Sequence, residues 1–154
     1  MAKQKASPKA RRKKSGAPSL RPVLRPIGII HSLLISRKNA PRQGTDGAPS
    51  AYLDLDPAIK DALTGLAKGD EVILITWLHQ GNRKTLQVHP RQDLSRPLAG
   101  VFATRSPDRP NPLGLHRVTI LEITNTRLHV GPLEAIDGTP VVDIKPIRCD
   151  LHDS

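Results

Sequence analysis

Residues 115–130, LHRVTILEITNTRLHV, decide the fold class. From Leu115 to Ile123 apolar and polar residues mostly alternate, with Leu115, Val118, Ile120 and Ile123 set against Arg117, Thr119 and Glu122. A period of two turns one face to a core and the other to water, the mark of a half-buried strand. Asn125-Thr126 then turns the chain, and Arg127 to Val130 returns as a hairpin partner.

The flanking sequence extends the pattern. Pro26 to Ile35 is rich in β-branched residues and reads as a strand. Glu71 to His79, EVILITWLH, is almost continuously apolar and predicts a buried strand. Lys84 to Val88 and Val101-Phe102-Ala103 predict two shorter ones. Val141 to Lys145 makes the last, after a turn at Asp137-Gly138. One helix is expected, capped by Asp56, opened by Pro57, carrying Ile59, Leu63 and Leu66 at helical spacing and ended by Gly69. Residues 36–50 and 90–99 read as loops. Short strands at roughly even spacing, one short helix and no repeated β-α-β unit predict a mainly β fold, a compact antiparallel barrel or sandwich.

The chain's 154 residues allow one domain, placed here at residues 26–154. Tyr52, Trp77 and Phe102 are its only aromatic residues, so the core must be aliphatic and an aromatic platform for stacked RNA bases is excluded. A single cysteine, Cys149, excludes a disulfide framework and a cysteine zinc site. His31, His79, His89, His116, His129 and His152 show no metal-ligand spacing, and no metal is expected. No apolar run approaches the roughly 18 residues of a membrane helix. These features predict a soluble protein of the reducing cytoplasm.

Charge is concentrated at one end. Lys3, Lys5, Lys9, Arg11, Arg12, Lys13, Lys14, Arg21 and Arg25 lie in residues 1–25 without a single acid. That segment has no hydrophobic period and no apolar stretch of a secretory signal, and it is expected to be a disordered basic tail. It reads either as an electrostatic arm for nucleic acid or as a solubilising tail.

The densest chemical signal is residues 100–115, GVFATRSPDRPNPLGL. Pro107, Pro110 and Pro112 fix φ and withhold three backbone donors, so the segment is stiff and unfit for a central strand. It presents Arg105, Ser106, Arg109 and Asn111 at low entropic cost. Those sixteen residues resemble the signature of the TsaA-like, or TrmO, family of tRNA methyltransferases. Pro26-Ile27-Gly28 with His31-Ser32, then Pro41-Arg42-Gln43, and finally Asp137-Gly138-Thr139-Pro140-Val141-Val142-Asp143-Ile144-Lys145-Pro146 are similar to the family's other elements, in its order. Together they cover about residues 26–148.

The resemblance implies a β-barrel that binds S-adenosylmethionine without a Rossmann domain. It implies methylation of N6 of threonylcarbamoyl-adenosine at tRNA position 37, and a homodimer with the cofactor near the subunit interface. Carried over by motif, the cofactor residues are Pro41, Arg42, Gln43, Arg105, Leu115, Asp137, Gly138, Thr139 and Pro140. Physically, Arg42 or Arg105 can hold the cofactor carboxylate with a bidentate fork, while Asp137 can accept from its ammonium or ribose. Asp70-Glu71 departs from the family, many of whose members carry Ser-His there. Asp137, Glu71 and Asp70 are the candidates for a proton acceptor, and no catalytic residue is assigned. A non-catalytic S-adenosylmethionine-binding module, or a methyltransferase of this fold acting on a small molecule, are the competing readings.

Overall fold

The computed structural model describes residues 21–147. The strands are β1 (Gly28–His31), β2 (Ala51–Leu55), β3 (Glu71–Trp77), β4 (Gln87–Val88), β5 (Ala99–Gly100), β6 (Leu113–Thr124), β7 (Arg127–Gly131) and β8 (Pro140–Pro146). Six of them close a barrel in the order β1-β2-β7-β6-β3-β8, with β8 returning to β1. Every pairing is antiparallel. Closure leaves no barrel strand with an unpaired edge. β4 and β5 pair separately, within the connection from β3 to β6. Most of the basic tail expected at residues 1–25, together with Cys149 and His152, lies outside the described residues.

The hairpin at residues 115–130 forms as its alternation requires. Thr124 pairs with Arg127 across Asn125-Thr126, and Asn125 takes the left-handed conformation (φ 56°) that asparagine tolerates. Gly114, His116, Val118 and Ile120 are buried along β6, while Leu113, Leu115 and Arg117 are exposed. The same phase operates around the barrel, bringing Ile30, Leu53, Leu55, Val72, Leu74, Leu128, Val130 and Val141 into one aliphatic core. Leu133 and Ala135 close it at one end. No aromatic side chain takes part.

Four expectations need correction. Ala51–Leu55 is an additional strand, buried at Ala51, Leu53 and Leu55. β3 is buried on one face only, since Ile73, Ile75 and Trp77 are half-buried on the outside. The helix is a 3-10 helix over Pro57–Leu63, capped by Asp56 Oδ1 accepting from the Ala58 N–H at 2.9 Å. It ends early because Thr64 leaves helical backbone and Gly65 turns left-handed (φ 94°). Val101–Ala103 is a 3-10 turn and not a strand. The Val101 carbonyl is spent on Thr104 and Arg109, which takes it out of any ladder.

The wiring gives the barrel two unlike poles. The ends of β1, β3 and β7 and the starts of β2, β6 and β8 meet at one rim, as the pairs His31–Tyr52, Trp77–Leu113 and Ile29–Pro140 require. Residues 32–50, 78–112 and 132–139 therefore all emerge there. The 3-10 helix and the tight Asn125-Thr126 turn belong to the opposite pole.

Candidate functional site

Each of the three rim connections carries residues expected to hold a cofactor, and hydrogen bonds join the connections to one another. The Asp137 N–H donates to the Leu34 carbonyl at 2.7 Å, and the Ser32 N–H donates to Asp137 Oδ1 at 3.0 Å. Arg37 reaches Asp108 at 3.1 Å, tying residues 32–50 to the proline-rich loop. Gly44, directly after Pro41-Arg42-Gln43, lies so close to Pro132 that an added Cβ would stand 2.9 Å from its carbonyl oxygen. One rim thus gathers 41–43, Arg105, Leu115 at the start of β6, and 137–140.

The two arginines of the loop do different work. Arg109 is half-buried and donates through Nε to the Ser106 carbonyl and through Nη2 to the carbonyls of Val101 and Thr104. It is the clamp that gives 101–109 its shape. Arg83 adds a bond from Nε to the Pro110 carbonyl at 2.9 Å, with its guanidinium over the Trp77 ring. Arg105 is exposed and makes no hydrogen bond or ion pair among the described residues. A stiff loop holds its guanidinium out from the protein with all its donors available.

The other expected contacts divide in the same way. Asp137 is half-exposed, with Oδ1 on the Ser32 N–H and 3.9 Å from His31 Nδ1. Arg42 donates to the Arg91 carbonyl at 2.9 Å, which leans it on the β4–β5 connection and leaves further donors. Gln43 gives its amide to Asp46 Oδ1 at 3.2 Å. Leu115 is exposed on the outer face of β6. Gly138 takes φ 78°, and its N–H is bonded to the Ile30 carbonyl. Thr139 is buried, and both its hydroxyl and its N–H turn to the Ile136 carbonyl, so it shapes the turn and offers no side-chain donor outward. Pro41 and Pro140 are half-buried.

Asp70 and Glu71 do not join this rim. They sit at the opposite pole, where Asp70 Oδ2 accepts from the Ala67 N–H at 2.8 Å and Glu71 takes a bidentate grip from Arg117. That grip, against a smaller cost of desolvation, holds the Glu71 carboxyl below the usual carboxylate range. Within one chain they stand at the pole away from 41–43, Arg105 and 137–140, beside the Asp143–Pro146 end of the last motif. A cleft of about 510 Å³ opens at that far pole against Ile59, Leu63, Asp70 and Asp143, and none of the expected cofactor residues lines it.

Sequence inspection missed a buried polar chain under the rim. Thr76 Oγ1 is 2.8 Å from His116 Nε2, and His116 Nδ1 is 2.6 Å from Glu134 Oε1. The available signal was a polar residue on the inward phase of each of two apolar strands.

Comparison with known proteins follows the same lines. Residues 29–151 match the family described as tRNA-methyltransferase O N-terminal domain. The chain belongs to that family. It is 40% identical over 128 residues, 83% of this chain and 91% of the relative, to a "Probable S-adenosyl-L-methionine-binding protein" of Methanothermobacter thermautotrophicus. An "S-adenosyl-L-methionine-binding protein" of Archaeoglobus fulgidus is 38% identical over 123 residues, 80% of this chain and 87% of that one. Among solved structures, TrmO from Pseudomonas aeruginosa superposes with a TM-score of 0.69 at 31% identity. That match covers 88% of this chain and 61% of the TrmO chain, so the chain spans about three fifths of that protein's length.

Proposed function

We propose that this member of the TrmO N-terminal-domain family is an S-adenosylmethionine-dependent methyltransferase acting on N6 of threonylcarbamoyl-adenosine at position 37 of tRNA. The observation that carries the reading is the convergence of 41–43, Arg105, Leu115 and 137–140 on one barrel rim, with an arginine there whose donors are free among the described residues.

The donor set suits the cofactor. Arg105 offers a planar fork to its carboxylate, and Asp137 has a second carboxylate oxygen for its ammonium or ribose hydroxyls. Leu115 supplies an apolar surface, and the Gly138 turn supplies backbone groups at the same rim. When bound, the cofactor supplies an electrophilic methyl group on a sulfonium. The protein's task is then alignment of an incoming amine-like nitrogen, which needs positioning more than a strong base. The braced loop serves that end, because Arg109 and three prolines leave Arg105 little backbone freedom. Of the three acids considered for the released proton, Asp137 alone stands at the rim.

The reading includes a homodimer in the cytoplasm. Leu33, Ile35, Leu94 and Phe102 lie on the rim connections at 85%, 77%, 81% and 84% exposure, an expense of apolar surface that a second copy would cover. Light scattering after gel filtration is expected to give twice the chain mass, and Phe102→Glu with Leu94→Glu to give the monomer. A stable wild-type monomer that binds the cofactor contradicts this part.

Mass spectrometry of tRNA nucleosides tests the activity. A strain lacking the gene should lose methylated threonylcarbamoyl-adenosine, and the purified protein should restore it with added cofactor. Unchanged nucleosides, beside tight cofactor binding by the protein, would favour a binding module without catalysis.

A further inference from the structure

Apart from Thr139 in the turn before β8, the buried side chains of the described residues are aliphatic except at one place. Thr76 is fully buried at the end of β3, His116 is 5% exposed on β6, and Glu134 lies in the connection after β7. They form a continuous chain from Thr76 Oγ1 to His116 Nε2 at 2.8 Å, and from His116 Nδ1 to Glu134 Oε1 at 2.6 Å. Burying an imidazole–carboxylate pair strips water from both groups, and apolar side chains of like volume are often as stable or more so. Stability alone gives no reason for this chain in a barrel of Val, Leu and Ile.

Its neighbours supply one. A Cβ on Gly114, the residue before Leu115, would stand 2.5 Å from Thr76 Oγ1 and 2.6 Å from His116 Nε2. A Cβ on Gly44, the residue after Gln43, would stand 3.4 Å from Glu134 Oε2. Glu134 itself lies three residues before Asp137. The chain therefore packs closely against Gly114 and lies beside Gly44, and Glu134 belongs to the connection that carries Asp137.

We infer that Thr76, His116 and Glu134 are positioning residues for the cofactor. Their hydrogen bonds set the spacing between the Pro41-Arg42-Gln43 turn, Leu115 and Asp137, although none of the three presents a side chain to the ligand. A hydrogen-bonded chain is directional where an apolar contact is not, so it admits one arrangement of the three segments. The inference rests on the cofactor reading proposed above.

Thr76→Val keeps the side chain's shape and removes the hydroxyl, while Thr76→Ser keeps the hydroxyl. Glu134→Gln keeps an acceptor and removes the charge. Calorimetric titration with S-adenosylmethionine, beside thermal unfolding, compares these with the wild type and with Arg105→Ala. Thr76→Val and Glu134→Gln should each raise Kd by about tenfold, the upper worth of one net hydrogen bond. Thr76→Ser should restore wild-type affinity, and melting temperatures should follow a different order from Kd. Wild-type Kd in both Thr76→Val and Glu134→Gln, beside a weakened Arg105→Ala, overturns the inference alone. Losses of affinity that merely track losses of melting temperature, with no rescue by serine, overturn it as well. No uptake by the wild type overturns the cofactor reading, and the inference with it.

Discussion

Arg37 and Asp108, 71 residues apart, meet with both carboxylate oxygens 3.1 Å from Nη2. Arg37 also donates through Nη1 to the Gln80 carbonyl at 3.0 Å, and Asp108 Oδ1 accepts from the Asn82 N–H at 2.8 Å. One ion pair thus holds residues 32–50, the start of the connection after β3 and the proline-rich loop in a single arrangement. Partial solvent access limits its worth to the order of 1 kcal/mol, so its use is registry more than stability.

Acid should release that registry. Burial works against the Asp108 carboxylate, yet Arg37 and the Asn82 N–H outweigh it and hold its pKa below the ordinary value. A carboxyl lowered on folding stabilises the fold at pH above its unfolded pKa, about 3.9, and the gain disappears as pH falls through the lower folded value. Asp108→Asn should therefore lower the melting temperature slightly at neutral pH and flatten its decline below about pH 4. Melting curves of the two proteins between pH 2 and 7 decide it. Parallel curves would show that Asp108 contributes nothing to the acid response.

The loop's two arginines should fail differently. Arg105→Ala removes no bond within the described residues, so the fold should survive while affinity for S-adenosylmethionine falls, by about 1.5–3 kcal/mol for the lost charged hydrogen bonds. Arg109→Ala takes the Arg109 donor from the carbonyls of Ser106 and Thr104 and leaves Val101 with Thr104 alone, and should cost stability, about 1.5–3 kcal/mol. Arg109→Lys should rescue little of it, because an ammonium cannot reproduce the planar fork. Denaturant unfolding and calorimetry, run on both variants, separate the two losses.

The two glycines that bracket the proline-rich segment should also differ. Gly114→Ala puts a methyl against Thr76 and His116 and should destabilise by about 1–3 kcal/mol. An added Cβ at Gly100 meets nothing within 4 Å, and its backbone (φ −60°, ψ 142°) suits any residue. Gly100→Ala should melt with the wild type. Equal losses at both positions would contradict the packing described for Gly114.

How far these features were legible depended on range. Alternation over Leu115–Val130 and the Asn125-Thr126 turn are local, and the hairpin followed from them. The aliphatic core followed from having only three aromatic residues to spend. Strand β2 was hidden because Asp54 and the exposed Tyr52 interrupt a short apolar set, and because Asp56-Pro57 draws attention to the helix start beside it. Asp54 stays ionised there through a bidentate bond from Arg127 on β7, a partner 73 residues away. The site was readable as motifs but not as mechanics. Nothing local distinguishes Arg105 from Arg109, since the clamp depends on where the carbonyls of Val101, Thr104 and Ser106 turn. The distance of Asp70-Glu71 from the rim likewise needed the strand register, because a position at the start of β3 says nothing about which pole that start occupies.

The remaining prediction concerns the basic residues ahead of the barrel. Among the described residues, the first backbone bond joining this end of the chain to a barrel strand is from the Ile27 N–H to the Val141 carbonyl, so removal of residues 1–25 takes away none of the rim contacts described above. It deletes nine positive charges and no acid. If these charges engage phosphates, each contact should contribute roughly 0.7–0.9 to the slope of log affinity against log salt. The shortened protein should then bind tRNA more weakly at low salt and with a shallower slope, while its affinity for S-adenosylmethionine and its melting temperature stay near the wild-type values. Filter binding across a salt series, beside calorimetry, measures all four quantities. An unchanged slope assigns these residues to solubility alone. A lost cofactor affinity would place these residues in the site itself, beside Arg105, Asp137 and the 41–43 turn.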